Sequence, residues 1–118
     1  MEHLFFNSGS SFSVTSKQFF TCIGVANFLQ GDSANTLGGT YCSVSLFGMV
    51  IKIEENAYDF EDDYNYMVTI RRDSHSSLKV GDSVAHDLAL LVSRLLVDNQ
   101  QTPVARETAN GLVLIEPA

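Results

Sequence analysis

The chain has 118 residues, 45% of them hydrophobic and 18% charged, and a formal net charge of -7. That length fits one domain of about 100–150 residues around a single core, and the composition is that of a globular chain rather than a disordered one. Such an acid excess makes a poor direct binder of phosphate backbones, whose affinity rests on Lys and Arg.

Leu4, Phe5 and Phe6 fit a short strand or a tail docked on the core. Asn7 to Ser13, rich in Ser and Gly, reads as a loop. Thr15-Ser16-Lys17-Gln18 has the pattern of a capping box, with the Thr15 hydroxyl meeting the amide three residues on and Gln18 reaching back. Phe19, Phe20, Ile23, Ala26, Phe28 and Leu29 then recur at helical spacing with Gly31 as a stop, which predicts a first helix over about 16–30. Gly31 to Thr40 holds Asp, Ser, Asn and three glycines, which is loop chemistry. Leu37-Gly38-Gly39-Thr40 is not read as a phosphate-binding turn, because neither a Gly-Lys-Ser/Thr nor a helix start follows it.

Tyr41 to Glu54 is largely apolar or β-branched, with Gly48 as a bulge or bend in the middle. Tyr64 to Arg72 alternates, placing Tyr66, Val68 and Ile70 on one face and Met67, Thr69 and Arg71 on the other. Two such runs flanking a polar connection predict an antiparallel pair. Asp73 to Ser77 is a turn. Gly81-Asp82-Ser83 offers an N-cap, and Val84, Leu88, Leu91, Val92, Leu95 and Leu96 form an apolar stripe, so a second helix is predicted over about 83–97. Asp98 to Gln101 ends it and Pro103 forbids its return. A hairpin closes the chain: Val104-Ala105-Arg106, a turn at Ala109-Asn110-Gly111, and Leu112 to Ile115. The order predicts an α+β fold, an antiparallel sheet of four to five strands with two helices packed on one face. A ferredoxin-like arrangement is one of several that fit.

The charge is concentrated rather than spread. Glu54, Glu55, Asp59, Glu61, Asp62 and Asp63 fall within one decapeptide and carry -6 of the -7, interleaved with Tyr58, Phe60 and Tyr64 and followed by Tyr66. Like charges at that density repel, so the segment points to a ligand, a metal or a cationic partner. A solvated loop that keeps a small protein soluble is the plainer alternative. Aromatic residues set among the carboxylates favour a protein-binding surface for a basic partner.

Other chemistries fit less well. Asp59, Glu61, Asp63 and Asn65 match positions one, three, five and seven of a calcium loop, yet Tyr64 stands where the turn needs Gly and Ile70 where a bidentate Glu belongs. A carboxylate-pair hydrolase needs one acid in an apolar pocket, which a crowded loop does not offer. Cys22 and Cys42 lie in apolar stretches without a family signature, and with His3, His75 and His86 scattered they give neither a nucleophile pair nor a zinc spacing. The expectation is a non-enzyme without cofactor or metal, with free thiols, no secretory leader and no run near the roughly 18 apolar residues of a membrane span. A cytoplasmic location follows from those readings.

The run Gly48-Met49-Val50-Ile51-Lys52-Ile53-Glu54-Glu55-Asn56-Ala57-Tyr58-Asp59-Phe60-Glu61-Asp62-Asp63-Tyr64-Asn65-Tyr66-Met67, on a short acidic chain, resembles the immunity proteins of bacterial contact-dependent growth inhibition and related polymorphic toxin systems. The likeness covers about a sixth of the chain and is one of style rather than of a diagnostic motif. It implies an inhibitor that binds a cognate toxin domain, often a basic nuclease, and blocks it without chemistry. On that resemblance Glu54, Glu55, Asp59, Glu61, Asp62 and Asp63 steer encounter, while Tyr58, Phe60, Tyr64 and Tyr66 supply the desolvated anchors. A small divalent-cation or ligand-binding module, or a structural subunit with a solvated loop, are the alternatives.

Overall fold

The computed structural model describes residues 1–33, 39–56 and 63–117. Nine elements follow in chain order: β1 (Glu2–Phe6), α1 (Phe12–Cys22), β2 (Leu29–Asp32), β3 (Thr40–Leu46), β4 (Met49–Glu55), β5 (Tyr66–Arg72), α2 (Asp82–Gln100), β6 (Val104–Thr108) and β7 (Gly111–Ile115). The fold is α+β, and among the described residues its sheet has seven strands rather than four to five, in the order β2-β3-β4-β5-β1-β6-β7. Every neighbouring pair is antiparallel. That order and strand number differ from a ferredoxin-like sheet.

The extra strands arise in two places. The run from Tyr41 to Glu54 is a hairpin rather than one bent strand, because Phe47 and Gly48 both take positive φ (52° and 75°) and reverse the chain between Leu46 and Met49. Leu29 to Asp32, expected to end a helix and open a loop, instead pairs with Tyr41 to Ser43 and Thr40 as the sheet's edge.

The first helix begins earlier than the sequence suggests and is shorter. Ser11 is its N-cap, accepting the Val14 amide, so Thr15 and Ser16 sit buried inside the helix instead of capping it. The Thr15 hydroxyl is drawn inward by the Ser10 carbonyl at 3.3 Å and the Ser8 hydroxyl at 3.0 Å. The helix stops at Gly24, whose φ of 79° belongs to the left-handed region. Phe28, expected within the helix, folds back to stack on Phe20 at 4.5 Å.

The second helix is where the sequence places it but is rotated. Its buried face is Ala85, Ala89, Val92, Ser93, Leu96 and Val97, while Val84 and Leu91 of the expected stripe are exposed. Small residues at 85, 89 and 93 let the helix axis approach the strands closely. Gln101, in the left-handed conformation at φ 57°, ends the helix.

Both helices cover the same face, as expected. The core joins Phe19 and Phe20 of α1 and Ala89, Val92 and Leu96 of α2 to Leu4, Phe6, Ile51, Ile53, Val68, Ile70 and Val104 from four strands. β1 lies between β5 and β6, which explains why Leu4, Phe5 and Phe6 are buried so near the chain start. A smaller cluster of Phe5, Met67 and Ala105, with Tyr64 against it, occupies the other face. Among the described residues, no helix is long and apolar enough to cross a membrane.

Candidate functional site

The acidic connection leaves the sheet between β4 and β5, and β5 is the central strand of the seven. The ladder ends with Glu55 opposite Tyr66. Beyond it the Asn56 amide donates to the Asn65 carbonyl at 3.0 Å, and the Asn56 side chain donates to the Tyr64 carbonyl at 2.9 Å. A second asparagine joins from the end of β1. The Asn7 side chain accepts the Asn65 amide at 2.9 Å and donates to the Asp63 carbonyl at 2.7 Å. Asn65 returns the arrangement, its side chain accepting the Ser8 amide at 3.0 Å and donating to the Ser8 carbonyl at 2.8 Å. Asn7 and Asn65 each thereby supply the donor and acceptor that a strand neighbour would have supplied, and the pairing of β1 with β5 continues through side chains where the ladder stops.

This clamp fixes both ends of the acidic connection. Asn7, Ser8 and Asn56 have no place among the expected site residues, and Asn65 enters there only as a calcium-ligand position. The available signal was an Asn just after one strand, at 56, and an Asn just before the next, at 65, since Asn is the residue that substitutes for backbone pairing at strand ends.

The expected site residues separate into four groups. Glu55 and Asp63 lie at the two ends of the connection, Asp63 exposed and Glu55 half-buried. Tyr64 is half-buried, its ring 6.2 Å from that of Phe5 over the second cluster. Glu54 and Tyr66 are buried, at 7% and 3% exposure, and are corrections to the expected surface. Glu54 faces away from the helices and pairs with Lys52 at 3.5 Å; the Lys52 ammonium in turn lies 5.7 Å from the centre of the Tyr41 ring. Tyr66 is a core residue: its ring stacks with Phe6 and Phe12, and its hydroxyl donates to the Ser10 carbonyl at 2.8 Å. The alternation of β5 decides this, because it turns Tyr66 to the helix side along with Val68 and Ile70. Tyr58, Asp59, Phe60, Glu61 and Asp62 lie outside the described residues.

Opposite charge gathers at the other end of the same two strands. β5 finishes with Arg71 and Arg72, paired with Val50 and Met49, and a cavity of about 410 Å³ there is lined by both arginines, Lys79, Ser74 and Asp82. Arg72 pairs with Asp82 at 3.3 Å. The β4–β5 ladder therefore runs from an acidic to a basic end.

The remaining thiols and histidines make local contacts. Cys22 and Cys42 are free, and burial raises both thiols above the usual value; the Asp98 charge adds to the rise at Cys22, while contact with the Ser16 hydroxyl offsets part of it at Cys42. His86 on α2 meets Glu2 at 3.3 Å, and His3 meets the Thr69 hydroxyl at 3.2 Å. The His75 amide is held by the Asp73 carboxylate at 3.0 Å in a local turn. Among the described residues no group of three or more His, Cys, Asp or Glu is placed to hold a metal ion.

No protein-family model, curated protein or solved structure gives a significant match to this chain.

Proposed function

We propose that this chain is an immunity-type inhibitor that binds and neutralises a basic toxin domain, a nuclease being the chemistry its charge best fits, through the acidic connection between β4 and β5. The observation that carries the reading is the clamp of Asn7, Asn56 and Asn65, which anchors a dense run of carboxylates to the central strand. A segment held this way loses little conformational freedom at its ends on binding, so more of the interaction energy appears as affinity. Glu55, Asp59, Glu61, Asp62 and Asp63 steer the partner in; Glu54, already paired with Lys52, contributes less. Tyr58, Phe60 and Tyr64 are the apolar contacts of the reading, and Tyr66 is withdrawn from them because it is buried. The basic end of the ladder repels a cationic partner and so favours one orientation of approach.

Co-expression with the protein encoded beside it, followed by purification at low and high salt and mass spectrometry, tests the reading. A stoichiometric basic partner that is released at high salt supports it. A partnerless chain, with the neighbouring protein present in the same cells, overturns it.

A further inference from the structure

A second site lies away from the acidic connection, between α1 and the β2–β3 edge of the sheet. A cavity of about 340 Å³ opens there, in the range of small-ligand pockets, which run from about 300 Å³ upward. Its most buried lining residues are Ser16, 1% exposed, and Cys42, 3% exposed. The Ser16 hydroxyl is buried without a hydrogen bond of normal geometry; the polar group it faces is the Cys42 thiol, a weak hydrogen-bond partner. A buried hydroxyl left so is costly, and a ligand group that reached it would remove the cost. Phe12 and Phe28 form apolar walls. At the mouth stand Lys17 and Glu55, opposite charges with no ion-pair partner among the described residues.

We propose that this cavity binds a small zwitterion of the α-amino acid class whose side chain is a ring ending in a hydroxyl. The ligand carboxylate meets Lys17 and its ammonium meets Glu55, so both charges lining the cavity are answered at once. The ring lies between Phe12 and Phe28, and its hydroxyl reaches the Ser16 hydroxyl at the floor. An apolar slot alone would distinguish aromatic from aliphatic side chains; the buried hydroxyl adds a preference for a phenol over a phenyl group. The site stands independently of the toxin-binding reading, with Glu55 the one residue common to both.

The test is a titration of the isotope-labelled full chain, followed by amide chemical shifts, with L-tyrosine, L-phenylalanine, tyramine and 3-(4-hydroxyphenyl)propionate up to a concentration on the order of 10 mM. The expected result is saturable shifts around Ser16, Lys17 and Cys42 with L-tyrosine, and affinity lower by about fivefold for L-phenylalanine, as loss of one hydrogen bond implies. Tyramine and the propionate, each lacking one charge, should also bind more weakly. Ser16→Ala should abolish the preference for L-tyrosine over L-phenylalanine, and Lys17→Met should abolish the preference for L-tyrosine over tyramine. Lys17 is exposed, so its substitution leaves the fold intact as an independent check. Absence of shifts at these residues with all four compounds overturns the proposal, as does equal affinity for the four.

Discussion

Asn7 and Asn65 hold one another's backbone neighbourhoods in place: the Asn7 side chain bonds the Asn65 amide and the Asp63 carbonyl, while the Asn65 side chain bonds both polar groups of the Ser8 backbone. The residues are 58 positions apart, and the reciprocal bonds tie the exit of β1 to the return of the acidic connection. Two segments are thereby fixed by the same pair of side chains. Anything that loosens one loosens the other.

Asn65→Ala should therefore lower stability by about 1–2 kcal/mol, the loss of two partly exposed side-chain hydrogen bonds. Asn65→Asp keeps the acceptor for the Ser8 amide but replaces the donor to the Ser8 carbonyl with a carboxylate oxygen, so it should recover only part of the loss. Urea midpoints of the three proteins at neutral pH provide the check. Recovery by Asp to the level of the native chain would remove the donor from the account.

Tyr66 separates a packing role from a surface role. Tyr66→Phe deletes the bond to the Ser10 carbonyl but keeps the ring against Phe6 and Phe12, and should cost about 1 kcal/mol of stability. Tyr66→Ala opens a cavity in the main core and should cost about 3–5 kcal/mol. Once a toxin partner is in hand, Tyr66→Phe should leave the association rate unchanged. Replacing Glu55, Asp59, Glu61, Asp62 and Asp63 with their amides should slow association and flatten its salt dependence. Stopped-flow binding at two ionic strengths distinguishes the two variants.

The parts of this molecule that were legible in the sequence are those written in local pattern. The alternation of Tyr66, Val68 and Ile70 placed β5 correctly, and Ala109-Asn110-Gly111 announced the last hairpin. β2 was not legible, because Leu29-Gln30-Gly31-Asp32 has no alternation of its own and becomes a strand only by pairing with β3. The helix start misled for a related reason: Thr15 and Gln18 match a capping box, but the Ser8 hydroxyl and the Ser10 carbonyl draw Thr15 inside while Ser11 takes the cap. The acidic segment was visible at once from its composition. Its clamp was legible only in part: Asn56 and Asn65 stand close in sequence and meet across the β4–β5 connection, but Asn7 joins them only when β1 has been inserted beside β5.

The two thiols make a pH prediction with a definite sign. Burial raises Cys22 and Cys42 above the usual thiol value of 9.0, so above that value the unfolded chain loses protons that the folded chain retains. Unfolding then releases protons, and stability falls as pH rises from the unfolded value through the higher folded values. Below the unfolded value the contribution is fully present and flat with pH. Denaturant midpoints measured from neutral to alkaline pH should fall more steeply for the native chain than for Cys22→Ala/Cys42→Ala, each referred to its own midpoint at neutral pH. Parallel curves would show that the thiols do not contribute.

The turn between β3 and β4 invites a stabilising change. Phe47 and Gly48 both occupy positive φ, the requirement of a two-residue hairpin turn whose favoured sequence is Asn-Gly. Phe47 is 78% exposed and so gives up little burial if replaced, while its β-carbon disfavours the backbone it adopts. Phe47→Asn should raise stability by about 0.5–1 kcal/mol, since Asn tolerates the left-handed region. The neighbouring position should respond oppositely. A β-carbon at Gly48 would stand 2.6 Å from the Leu78 carbonyl oxygen, and the backbone there is already in the glycine region. The Gly48 carbonyl also accepts the Asp73 amide at 2.8 Å, so a shift to relieve the clash would strain the chain on both sides. Gly48→Ala should cost about 1–3 kcal/mol. Thermal melts of the two single variants read both signs, and a loss of stability on Phe47→Asn would mean that the exposed ring makes contacts beyond those of the turn.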